Sequence, residues 1–170
     1  MAPARPAPYS PRSALVIEPI PAQHSVVVAT LKGLGVAEVF SAANEAAAMR
    51  ILTDQAPAAI FAEFSSPGWH APTFVAKLRR STLPAHRNPV IMMSGAWTAK
   101  TILEARDCGA HECIRKPFSI ADLSRRIRAA MDTPRDWIAA ERYVGPDRRR
   151  FNSGGGEGLE RRARAAAKQS

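Results

Sequence analysis

The chain has 170 residues, with 24 Lys and Arg against 15 Asp and Glu, a net charge of +9, and 46% apolar residues. That length suits one domain and a tail rather than two full domains, and no apolar run approaches the roughly 18 residues of a membrane span. The basic excess points to an anionic partner without naming it, and it is densest at the end, where residues 142–170 carry eight basic against three acidic residues.

Residues 1–13 are proline-rich and lack the continuous apolar stretch of a secretion signal. They read as a disordered leader, and a cytoplasmic location is expected. From there, short apolar runs alternate with longer amphipathic ones. ALVI (14–17) predicts a strand, and Val26, Val27, Thr30, Leu31 and Leu34 recur at helical spacing until Gly33 and Gly35 stop the helix. AEVF (37–40) predicts a second strand, and Asn44 stands where it would cap the helix EAAAMRILTDQ. AAIFAEF (58–64) predicts the third strand, SSPGWHAP a loop turning at Pro67 and Gly68, and the next residues a helix from about Pro72 to Arg80. PVIMMS (89–94) is the most apolar run and the expected central strand. A helix over 98–107 ending at Gly109, a fifth strand HECI (111–114) and a helix capped by Ser119 complete the pattern. Five strands alternating with five helices predict a doubly wound α/β domain, with a five-stranded parallel sheet, over residues 14–131.

Residues 132–170 change character: they contain helix-favouring pieces and a Gly-rich break at 154–158, and they lack a second apolar core. They read as an arginine-rich extension, largely disordered until it binds. Cys108 and Cys113 have neither zinc-site spacing nor a partner pair and read as buried thiols. His24, His70, His86 and His111 fall on separate elements without a ligating pair, so no metal site is assigned. Trp69 and Trp97 follow the third and fourth strands, where they would either cover a pocket or form an exposed docking patch.

The first strand ends in Glu18, the third runs into Glu63 and then SPG, the fourth ends at Ser94, and GAHECIRKPF closes with Lys116–Pro117–Phe118. This order resembles the CheY-like receiver domain of two-component signalling. The resemblance implies a phosphorylation site in which an Asp accepts phosphate, an acidic pair holds Mg²⁺, and a Ser or Thr and a Lys bind phosphoryl oxygens. Ser94 and Lys116 match that pattern. Glu63 stands at the acceptor position with an extra methylene, worth about 1.5 Å of reach; Pro19 replaces one carboxylate of the pair, leaving Glu18; and Cys113 replaces the aromatic of the fifth strand. Phosphorylation control is therefore expected to be lost. Glu63 paired with Lys116 would either imitate a phosphorylated Asp or remain as a buried ion pair in a scaffold.

In the tail, RDWIAAERYVGPDRRRF sets Arg135, Asp136 and Trp137 before Arg142, Tyr143, Asp147, Arg148, Arg149 and Arg150. Arg can fork to guanine O6 and N7, Asp can accept from N1 and N2, aromatic and guanidinium planes stack on bases, and further arginines bind phosphate. The combination resembles the Cle group of CheY-like proteins, whose arginine-rich C-terminal segment binds cyclic di-GMP and whose receiver docks on the flagellar motor switch. That resemblance implies a non-enzymatic effector that takes no cofactor. It would bind cyclic di-GMP, as a stacked pair of nucleotides, with Arg142, Tyr143, Asp147, Arg148, Arg149 and Arg150 foremost and Arg135, Asp136 and Trp137 second. Trp137 and Tyr143 could instead pin a sixth helix to the receiver, and DRRR could be a solvated basic run. Two alternatives stay open: a receiver that still accepts phosphate, and an adaptor whose basic tail binds nucleic acid without specificity.

Overall fold

The computed structural model describes residues 11–132 and 135–151, without the side chain of Arg150; residues 1–10 of the leader and the last basic run (160–168) lie outside them. In chain order the elements are β1 (Ser13–Ile17), α1 (Pro21–Gly33), β2 (Glu38–Ala42), α2 (Glu45–Asp54), β3 (Ala59–Glu63), β4 (Ser65–Ser66), β5 (Trp69–His70) and α3 (Ala71–Arg80). A short 3₁₀ turn (Pro84–Arg87) precedes β6 (Val90–Ser94), followed by α4 (Ala99–Asp107), β7 (Glu112–Arg115), α5 (Ile120–Met131), β8 (Trp137–Ala140), β9 (Tyr143–Pro146) and a second 3₁₀ turn (Arg148–Arg150).

β2, β1, β3, β6 and β7 form one parallel sheet in that order. Period-two alternation decides which core each strand residue joins. Leu15, Ile17, Ile60, Ala62 and Met92 face a cluster shared with Leu52 of α2, Phe74 and Leu78 of α3 and Ile102 of α4. Val16, Phe61, Ile91 and Met93 face the opposite cluster, with Val27 and Leu31 of α1 and Leu123 and Ile127 of α5. β3 and β6 are buried throughout, as their unbroken apolar runs predict. The caps fall where the sequence places them: Asn44 Oδ1 accepts from Ala47 N at 2.9 Å, and Ser119 Oγ accepts from Asp122 N at 3.1 Å while Asp122 Oδ2 accepts from Ser119 N at 3.1 Å. Among the described residues no helix is long and apolar enough to cross a membrane.

Two segments depart from the sequence reading. The SSPGWHAP loop carries a short antiparallel ladder, β4 with β5, around Pro67 and Gly68, the latter at φ 77° where a glycine is unstrained. More consequentially, residues 135–151 are already structured: β8 and β9 form an antiparallel hairpin turning at Glu141 and Arg142, where a disordered segment or a sixth helix was expected. Ala139, Ala140, Glu141 and Arg142 favour helix by only a few tenths of a kcal/mol each. Burial of Tyr143, Gly145, Pro146 and Phe151 outweighs that preference.

Candidate functional site

The carboxyl ends of four neighbouring strands bring Glu18, Glu63, Ser94 and Lys116 together, since Glu18 and Lys116 directly follow β1 and β7 while Glu63 and Ser94 end β3 and β6. The Lys116 Nζ donates to Glu18 Oε2 at 2.9 Å, pairs with Glu63 Oε2, and donates to the side-chain oxygen of Gln23 on α1. The second Glu18 oxygen accepts from Ile20 N at 3.0 Å. Ser94 Oγ accepts from Ala96 N at 3.1 Å, and the Lys116 backbone N donates to Ser94 O at 2.8 Å ahead of a cis Lys116–Pro117 bond. Burial pushes the Glu63 carboxyl above its usual range, and the neighbouring Glu18 adds to that against the pull of Lys116. A cavity of about 540 Å³ opens over the cluster, bounded by Gln23, Val26, Val27 and Phe118.

These donors do not suit Mg²⁺. Pro19 offers no side-chain oxygen, and both remaining carboxylates are engaged by one ammonium, whereas a hard dication needs several free oxygens in near-octahedral array. The two indoles wall this end instead of forming an exposed patch. Trp69 Nε1 donates to Glu63 O at 2.6 Å and its buried ring packs on Phe74, while Trp97 Nε1 donates to Ile114 O at 2.9 Å with its ring edge-on to Phe64. Cys113 is buried inside β7, and burial raises the half-buried Cys108 thiol to about 12, which leaves it unreactive.

The arginine-rich segment lies at the opposite end, against the amino ends of the strands. Arg135 donates through Nη2 to His111 O and to Glu112 Oε1, both at 2.8 Å. Glu112 Oε2 accepts from Arg126 at 3.0 Å. Arg79 is buried in α3 and bridges the Gly109, His86 and Asn88 carbonyls at 3.0, 2.8 and 2.9 Å. Its Nη2 also faces His111 Nδ1, which accepts from Val90 N, each at 3.2 Å, so the His111 ring proton sits on Nε2. Burial drives His111 well below its ordinary pKa and lifts Glu112 to about 7, against the pull of Arg126 and Arg135. Trp137 is held by His86 edge-on and by the Arg79 and Arg87 guanidiniums at 5.4 and 5.2 Å from the ring centroid. Gly145 meets Gly109 so closely that a Cβ on Gly145 would lie 3.0 Å from Gly109 Cα.

The nine tail candidates therefore divide. Arg135, Trp137 and Tyr143 fasten the hairpin, Tyr143 by donating its hydroxyl to Pro146 O at 2.6 Å. Arg148 stacks over Tyr143 at 4.5 Å and pairs with Asp107 at 2.9 Å. Asp147 caps the last turn by accepting from Arg149 N at 3.0 Å, and the Arg149 side chain is 91% exposed. Arg142 and Asp136 are exposed, and the Arg150 side chain lies outside the described residues. Sequence reasoning missed Gln23, Arg79, Glu112 and Arg126. Glu112 had a signal, a charge inside an apolar strand run, and Arg79 had another, since it shares the buried helical face of Val75 and Leu78.

Comparison with known proteins agrees with this geometry. The fold matches a response regulator of Chloroflexus aurantiacus (TM-score 0.66, 20% identity, 73% of this chain and 100% of that one). It also matches the chemotaxis protein CheY4 of Vibrio cholerae (0.65, 20%, 70% and 98%). A third match is the receiver domain of a histidine kinase from Syntrophus aciditrophicus (0.62, 21%, 76% and 98%). Curated protein sequences gave no match. The family model of the response regulator receiver domain matches residues 14–128, which span β1 to α5 and all four residues gathered around Lys116, and the chain belongs to that family.

Proposed function

We propose that this protein is a non-enzymatic signalling receiver that responds to cyclic di-GMP in place of phosphorylation and acts by docking on a protein partner. The observation that carries the reading is the preformed platform at the hairpin's end: Arg148 stacked on Tyr143, Asp147 beside it and Arg149 projecting into solvent. Cyclic di-GMP would draw the solvent-exposed Arg149 guanidinium from its loose pairing with Asp147 to fork to a guanine edge, leave Asp147 to accept from N1 or N2, and take phosphate contacts from Arg148 and the exposed Arg142. Because residues 135–151 already form a hairpin, the ligand adds to a built surface and avoids most of the ordering cost that coupled folding would impose. At the opposite end, the Lys116 ion pairs and Pro19 support loss of the phosphorylation input. The flagellar motor switch as partner, and with it a motility role in the cytoplasm, rests on the resemblance to the Cle group.

The test is calorimetric titration with cyclic di-GMP of the full chain, of Asp147→Ala, and of a variant with Arg148, Arg149 and Arg150 changed to Ala, beside incubation with acetyl phosphate and Mg²⁺. Micromolar binding lost in both variants, with no covalent phosphate, is the expected outcome. Absence of saturable binding removes the ligand from this reading, and phosphate incorporation would instead establish a phospho-accepting regulator.

A further inference from the structure

Between the hairpin and the floor of the sheet lies a cleft of about 360 Å³ lined by Arg87, Pro89, His111, Met131, Arg135 and Trp137. This is more space than a single ion requires. We propose that this cleft binds a small phosphate-bearing anion, of the size of a nucleoside monophosphate.

Three observations converge on an anion. First, Arg135 is nearly enclosed, its side chain 3% exposed, yet its Nη1 is buried without a hydrogen-bond partner, while Nη2 is taken by His111 O and Glu112. A buried guanidinium N–H left unpaired is a group awaiting an acceptor. Second, guanidiniums gather here: Arg126 and Arg135 share the two oxygens of Glu112, Arg79 is held by the Gly109, His86 and Asn88 carbonyls, and Arg87 lies against the Trp137 ring. Arg87 has no carboxylate partner among the described residues and is held against the Trp137 face. Third, the His111 proton on Nε2 supplies a neutral donor within the lining. The partial negative charge at the end of α5, whose Ala130 and Met131 also line the cleft, opposes an anion, but it is about half an elementary charge against the full charge of Arg87, which has no carboxylate partner among the described residues. Phosphate is the anion that uses forked donors on more than one oxygen, and Pro89, Met131 and Pro146 give the organic part an apolar wall.

This inference stands apart from the cyclic di-GMP reading, whose ligand sits on Arg148 and Arg149. The experiment is titration of the full chain with GMP and with inorganic phosphate, followed calorimetrically. The variants are Arg87→Glu, at an exposed side chain; Arg135→Lys, which keeps the charge but loses the fork; and the triple Ala variant of Arg148, Arg149 and Arg150. Saturable GMP binding weakened tenfold or more by Arg87→Glu and by Arg135→Lys, and untouched by the triple variant, is the expected result. Absence of saturable binding, binding indifferent to both cleft variants, or binding lost in the triple variant would each overturn the proposal. Loss of cyclic di-GMP affinity alone in the triple variant would bear only on the other site.

Discussion

Replacing Lys116 with methionine removes the ammonium that Glu18 and Glu63 share, and it leaves two carboxylates facing each other. The Glu18 side chain is fully buried and that of Glu63 is 10% exposed, so water relieves little of the repulsion. Oxygens gripping one nitrogen lie within about 5 Å of each other, and at an effective dielectric near 20 two such charges repel by about 3 kcal/mol. Removing one partner of a buried ion pair typically costs about 3–5 kcal/mol, so a loss in that range is expected at pH 8, a large part of a typical stability of about 5–15 kcal/mol. Burial already raises the Glu63 pKa, and loss of the lysine raises it further. A carboxyl with a raised folded-state pKa contributes stability that is complete below its unfolded pKa and is lost as pH rises through the folded value. The deficit of the variant must therefore shrink between pH 8 and pH 5. Urea unfolding at both pH values, with Lys116→Met/Glu63→Gln as the variant that removes one charge, measures this directly. A loss under 1 kcal/mol at pH 8, an equal loss at both pH values, or no recovery in the double variant would refute the clamp and return both carboxylates to the solvent.

The floor network gives a prediction of the same sign from a different group. Glu112 has a folded pKa of about 7 against an ordinary 4.5, so its contribution is complete below about 4.5 and fades as pH rises through 7, by at most about 3 kcal/mol. His111, depressed by burial, works the other way and loses stability as pH falls below its ordinary 6.5; comparing Glu112→Gln with the parent cancels that shared term. Their stability difference should move in favour of the variant from pH 5 to pH 8, and a constant gap would refute the assignment. Gly145→Ala should lift the hairpin, because the new Cβ would lie 2.6 Å from Tyr143 Oη and 3.0 Å from Gly109 Cα. A cost of about 1–3 kcal/mol and faster amide exchange at Arg135 to Phe151 are expected, and unchanged exchange would show that this contact is dispensable.

The sheet and its five helices were legible because their signals are local and repeated: β3 and β6 are unbroken apolar runs, and Asn44 and Ser119 cap helices exactly one residue ahead of them. The upper site was legible too, since residues at the ends of successive parallel strands meet whatever lies between them. The hairpin was not. Its strands are four residues each, below the length at which alternation stands out from helix-favouring Ala, Glu and Arg, and its stability comes from partners far away in sequence: Gly109, His111 and Glu112. Tyr143 and Trp137 read equally well as ligand-stacking or packing groups, and only the surface under them decides between the two.

Under the proposed reading, charge distinguishes the two ends of the domain. At the upper end Glu18 and Glu63 outnumber Lys116, so an approaching phosphoryl group meets a net negative pocket, and Pro19 withholds the ligand that would let a metal reverse its sign. At the floor Arg126 and Arg135 share Glu112, Arg79 and Arg87 lie beside them on backbone carbonyls and the Trp137 ring, and both the cleft and the exposed Arg149 lie on that side of the molecule. The two ends share β7, an edge strand that begins at Glu112 and leads directly into Lys116, about 13 Å away at the rise of an extended chain. An anion bound as proposed would act on Arg135 and through it on Glu112, whereas at the top the same strand presents a lysine paired with Glu18 and Glu63. The electrostatic asymmetry along one strand thus favours input at the end of the domain where the hairpin has been added.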